Sequence, residues 1–284
     1  MEPKEKWIRV IIEIIVNREK EAKKMEQASK KHFILVHGMG HGAWCWYKLA
    51  PLLRSAGQRV TALDLAASGR NPEPLNELRS FSDYSAPLME AMASIPSGER
   101  VVLVGHSHGG YSIALAAEKF PEKISVAVFV TAIMPSTTTP LSTITQEYNI
   151  RHPPEYFLDT KFVIGQDHDI SWTTITFGPN YMKERLYHLS APEDLTLATT
   201  LVRPGRYFQN EDPVVVSKKN YGSVSRAFVV CNGDLAIKED FQRWMIELSP
   251  EVEVKEIEKS GHMVMLSKPK ELCCLLLEIA GKYQ

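Results

Sequence analysis

From Lys31 onward, short β-branched apolar runs alternate with longer stretches of helical periodicity. Residues 33–37, 59–63, 101–104, 124–130, 226–230 and 252–257 read as strands. Helical patterns occupy 46–55, 82–94, 111–119, 239–248 and 269–282, with Gly57 and Pro121 as stop signals. Strands alternating with helices imply βαβ units, hence a mainly parallel sheet with helices on both faces. Apolarity that is continuous along the strands fits a sheet covered on both sides. The rhythm breaks over 132–225, which is rich in Thr and Pro and holds Tyr156, Phe157, Phe162, Trp172, Phe177 and Tyr181. A structureless loop of that length is implausible in a compact fold, so the segment is expected to be a mostly helical cap. The α/β core then comprises 31–131 and 226–284, split by the cap at 132–225.

Residues 1–30 stand outside this rhythm and read as a poorly ordered or loosely docked extension, with Met25 as a natural start. The apolar run at 8–16 is interrupted by Arg9 and Glu13 and is far short of the ~20 residues a membrane span needs. Stable membrane association is not expected, since no second anchoring signal accompanies it. A net charge of −1 leaves no basic excess to neutralise phosphates, which argues against nucleic acid. Cys45, Cys231, Cys273 and Cys274 show no CxxC spacing, and no Asn-x-Ser/Thr sequon occurs. That pattern suits reduced thiols and a cytoplasmic location.

The chemistry starts at Gly105-His106-Ser107-His108-Gly109, a G-x-S-x-G run. It follows one expected strand and opens one expected helix, the setting in which a strained turn exposes a nucleophilic serine. A serine hydroxyl needs a base. Of the nine histidines, His262 lies in a turn after a strand, at the same carboxyl edge of the sheet. Asp234 follows another strand at that edge and would fix the base's tautomer, whereas Asp240 falls in the next helix. The order Ser, Asp, His along the chain agrees with this set. The two N–H donors for a tetrahedral oxyanion are expected from the backbone of His108 and, in the glycine turn 38–42, of Met39. Gly38 would shape that turn, and Gly38, His41 and Met263 are expected at the substrate. His41, His106 and His108 could converge on a metal, but neither segment supplies a carboxylate or cysteine to complete a ligand set, so no metal is expected.

Several segments resemble the plant methylesterase family of the α/β-hydrolase superfamily. They are Lys31-His32-Phe33-Ile34-Leu35-Val36-His37-Gly38, Trp44-Cys45-Trp46-Tyr47-Lys48-Leu49, the run 60–69, the run 83–89, and Arg203-Pro204-Gly205. The group includes methyl salicylate, methyl jasmonate and methyl indole-acetate esterases, polyneuridine aldehyde esterase and the related α-hydroxynitrile lyases. The resemblance implies the α/β-hydrolase fold and a cofactor-free, cytosolic, often dimeric enzyme that releases methanol from a small-acid ester. It carries the triad onto Ser107, Asp234 and His262, and the oxyanion donors onto Met39 and His108. The lyase branch has a threonine in place of Gly38 and a lysine after the catalytic histidine; Met263 stands there and cannot stabilise departing cyanide. The other reading is a small-molecule or hormone binder on the same fold. Two positions depart from the family pattern: His108 replaces a commonly apolar residue and Gly40 a common cysteine. His108 keeps its backbone donor but alters the polarity of the pocket.

Overall fold

The structure, a computed structural model, describes residues 30–283 apart from 168–169, 209–214 and 250. The expected extension therefore lies, but for Lys30, outside the described residues. Six strands form one parallel sheet in the order β2-β1-β3-β4-β8-β9: β1 His32–Val36, β2 Arg59–Leu63, β3 Val101–Ser107, β4 Ile124–Ala132, β8 Arg226–Cys231 and β9 Glu253–Ile257. β4 and β8 are buried from end to end, and β1 and β3 are buried except at His32 and Ser107, whereas β9, an edge, alternates and exposes Val254 and Glu256.

Successive strand side chains point to opposite faces, and the core divides accordingly. Ile34, Val36, Val101 and Leu103 join one cluster, covered by helices α2 (Ala86–Ser94), α3 (Gly109–Lys119) and α6 (Glu239–Glu247). Phe33, Leu35, Val102 and Val104 join the other, covered by α1 (Leu49–Ser55) and α7 (Pro269–Lys282). The helix expected over 82–94 is broken at Ser85, with a helical turn Phe81–Tyr84 before it. Pro87, with no N–H to donate, begins the second piece.

The segment between β4 and β8 holds α4 (Leu141–Arg151), α5 (Pro192–Leu201) and several helical turns. It also holds a three-stranded antiparallel sheet, β5 (Lys161–Asp167), β6 (Ile170–Thr176) and β7 (Gly205–Phe208), which the expectation of a mostly helical cap did not include. Polar clasps fix this segment to the core. The buried Asp194 carboxylate accepts from Tyr47 Oη at 2.5 Å and Lys48 Nζ at 2.7 Å. Arg203 donates to the carbonyls of Gly69 and Asn71, and Arg206 to those of Leu75 and Leu78. Trp172 carries the Arg206 guanidinium 3.6 Å above its ring. Among the described residues, no helix is long and apolar enough to cross a membrane, and all four cysteines are free.

Candidate active site

All the chemistry-bearing residues converge at the carboxyl edge of the parallel sheet, where an α/β fold opens its crevice. Ser107 ends β3 with φ 54°, in the left-handed region that a non-glycine residue occupies at a cost of about 1–3 kcal/mol. Packing holds it there. Helix α3 begins so close to β1 that a Cβ on Gly109 would lie 2.5 Å from the His37 carbonyl oxygen. A Cβ on Gly38 would lie 2.8 Å from Ser107 Cβ and 3.2 Å from its Oγ, so the glycine turn is pressed against the serine.

His262, buried in the turn after β9, places Nδ1 2.7 Å from Asp234 Oδ2. A carboxylate only accepts, so Nδ1 carries the proton and Nε2 is left as the basic nitrogen. Asp234 is itself held on every side. Its Oδ1 accepts from the backbone N–H groups of Ala236 at 2.6 Å and Ile237 at 3.0 Å. Its Oδ2 also accepts from Thr131 Oγ1 at 2.5 Å. Thr131 was not singled out by its sequence, because nothing near it in the chain marks a partner 103 residues away. His106 donates from Nε2 to the His262 carbonyl at 2.9 Å, and the two rings lie 4.6 Å apart. Asp240 turns away to pair with Arg151.

The glycine turn is fixed by two neutral histidines. His37 Nδ1 donates to the Gly38 carbonyl at 2.7 Å, and its Nε2 accepts from the Leu65 N–H at 3.1 Å. His41 Nδ1 donates to the Met39 carbonyl at 2.9 Å, and its Nε2 accepts from Tyr187 Oη at 2.7 Å. Burial lowers both pKa values, that of His41 to about 3, so both rings stay neutral and keep these tautomers. In a planar trans peptide the C=O and N–H point in opposite directions. Clamping the Gly38 carbonyl onto His37 therefore turns the Met39 N–H the other way.

Ser107, His262, Gly38, Met39, His41 and His108 all line one cavity of about 290 Å³. Phe157, Phe162, Phe177 and Tyr181 of the inserted segment roof it. Tyr156 and Trp172 take no part in its wall; the first sits under the Arg185 and Lys238 cations, the second under Arg206. Met263 was expected at the substrate, and here the structure corrects the reading. Its side chain is fully buried in the cluster beneath α1 and α7 and does not reach the cavity, because the turn that presents His262 directs the next residue into the core.

The family model described as "Alpha/beta hydrolase family" matches residues 33–273. The chain belongs to that family. It is 51% identical over 257 residues to methyl jasmonate esterase 1 of Vitis vinifera, covering 89% of this chain and 98% of the relative. It is 48% identical over 255 residues to salicylic acid-binding protein 2 of Nicotiana tabacum, with 89% and 98% covered. The crystal structure of polyneuridine aldehyde esterase superposes with a TM-score of 0.84 at 46% identity, covering 88% of this chain and 99% of that one. The α/β-hydrolase fold read from the sequence is thus the fold of its solved relatives.

Proposed function

We propose that the chain is a serine carboxylesterase that hydrolyses methyl esters of small plant acids such as salicylate, jasmonate, indole-acetate or an alkaloid acid. One observation carries the reading: a left-handed serine and a buried His262–Asp234 pair at 2.7 Å face the same apolar-roofed cavity. In this reading His262 Nε2 takes the Ser107 proton as the hydroxyl attacks the ester carbonyl. Asp234 holds the imidazole in its Nδ1–H tautomer and stabilises the imidazolium that forms. The Met39 and His108 N–H groups receive the oxyanion, and one such donor is worth about 3 kcal/mol of barrier. Methanol departs with the proton from His262, and water activated by the same ring releases the acid. The methyl jasmonate and polyneuridine aldehyde esterase relatives support this substrate class.

The same proposal has the enzyme working without cofactor, in the cytoplasm and as a homodimer, on the strength of the family likeness. Sedimentation velocity gives the oligomeric state, and a monomer at micromolar concentration would remove that part. A second reading, binding of the free acid, is favoured by the relative named for binding salicylic acid. Methanol release from methyl salicylate, methyl jasmonate and methyl indole-acetate, with wild type and Ser107→Ala, decides between them. Turnover lost in the variant supports the esterase. No turnover, together with no fluorophosphonate labelling of Ser107, leaves the binder.

A further inference from the structure

The cavity wall is apolar where Ile133, Phe157, Ile175, Phe177, Leu186 and Ile237 form it, and one of its polar patches lies beside the elbow. There the His108 ring meets Tyr111 at 4.9 Å and Tyr207 at 6.2 Å between centroids. Tyr207 Oη hydrogen-bonds Thr145 Oγ1 at 3.3 Å. All four residues line the cavity. Two hydroxyls of this patch are thus paired with each other, but the imidazole is not. His108 Nε2 is buried without a hydrogen-bond partner among the described residues. Burial also lowers the His108 pKa to about 4, so the ring is a neutral donor and acceptor rather than a cation. Leaving such a group unpaired is unfavourable; Nε2 itself has almost no open surface, so the ring turns on its side-chain bonds to meet a ligand oxygen that recovers the loss.

We propose that this patch reads a second oxygen function, a ketone or a hydroxyl, on the acyl part of the ester, with the His108 imidazole as its hydrogen-bond partner. The inference rests on the esterase reading for its placement. The His108 N–H serves there as an oxyanion donor, so its side chain stands beside the acyl carbonyl. A departing methoxy group is too small to fill about 290 Å³, and the acyl part must occupy the rest. A neutral imidazole donates to a ketone and, in the other tautomer, accepts from a hydroxyl. An apolar residue at position 108 would do neither.

Matched esters provide the test: methyl (3-oxocyclopentyl)acetate against methyl cyclopentylacetate, and methyl salicylate against methyl benzoate. The quantity read is the ratio of kcat/KM within each pair, for wild type, His108→Leu, His108→Phe and His108→Gln. Wild type is expected to favour the oxygenated member of at least one pair by about tenfold, the scale of one hydrogen bond. The ratio should fall toward one in His108→Leu and recover in part in His108→Gln, whose amide restores a polar partner. The ketone and phenol arms show which oxygen is read. A ratio near one in wild type, or one unaltered by His108→Leu, overturns the proposal. Dissociation constants for the same pairs, measured by calorimetry in a Ser107→Ala background, separate this from failure of the esterase reading. No turnover by wild type with a His108-dependent binding preference overturns the esterase and keeps the subsite. Turnover with no such preference does the reverse. If His108→Leu does not fold, His108→Phe keeps a ring without a donor or acceptor: loss of the binding preference there supports the patch, and its retention overturns it.

Discussion

Acidification from pH 7 to pH 5 should destabilise this fold through histidines that surround the cavity. Burial is the largest cause lowering the pKa of His37, His41, His106 and His108 alike. For His41 the folded value is about 3 and for His108 about 4, against an ordinary 6.5. Below pH 6.5 the unfolded chain binds protons that the folded chain refuses until about pH 4 to 3. The stabilisation is therefore complete above the unfolded value and drains away as pH falls through that window. One pH unit inside it costs about 1.4 kcal/mol per histidine. At pH 5, roughly 1.5 units below the unfolded value, each of the two loses about 2 kcal/mol, or about 4 together. His37 and His106 act in the same direction. Against a typical total of about 5–15 kcal/mol, this is a large share. Urea unfolding followed by tryptophan fluorescence at pH 7, 6 and 5 measures it, with a constant m-value required. His41→Gln and His108→Leu each remove one titrating group, so each should shrink the loss between pH 7 and pH 5 by about 2 kcal/mol. Stability that is flat over this range, or variants that lose as much as wild type, would refute the argument.

Three further outcomes follow from the geometry. Asp234→Asn should keep the fold but lower kcat by about 10⁴-fold through the wrong His262 tautomer, and stopped-assay kinetics with retained fluorescence spectra would show it. Gly38→Ala places a methyl 2.8 Å from Ser107 Cβ, so the serine or the turn must move. A loss of about 10²-fold in kcat/KM is expected, and full activity would mean that the turn is not pressed on Ser107. Asp194→Ala removes the carboxylate held by Tyr47 and Lys48. Lys48 is partly exposed and can turn to water, so the expected loss is about 2 kcal/mol, below that of a fully buried pair, read from the urea midpoint.

The local signals in the chain marked the strands of the parallel sheet, the elbow and the turns that carry Asp234 and His262. Each of these is written within a few neighbouring residues: apolar runs over 101–104 and 226–230, glycines flanking Ser107, and a histidine in the short turn after a strand. Period and turn chemistry are properties of short windows, so they survive without knowledge of the fold. Chain order and strand direction then placed three side chains on one sheet edge, because every strand of a parallel sheet ends at the same side.

What lay beyond the sequence was whatever depends on a partner far along the chain. The Thr131 bond to Asp234, the Tyr187 bond to His41 and the His106 bond to the His262 carbonyl join residues 103, 146 and 156 positions apart. The β5–β6–β7 sheet was hidden because its longest apolar run, Phe162-Val163-Ile164, is only three residues and is cut off by Gly165. Met263 was misplaced for a related reason. Adjacency to His262 in sequence fixes its position to within one residue, but which way its side chain points is decided by the turn's packing against the core. The sequence by itself determined which chemistry is present and at which edge of the sheet. Only the tertiary structure decided how the groups are held, which tautomers the buried histidines keep and which side chains face the cavity, because those properties arise from burial and from contacts between distant segments.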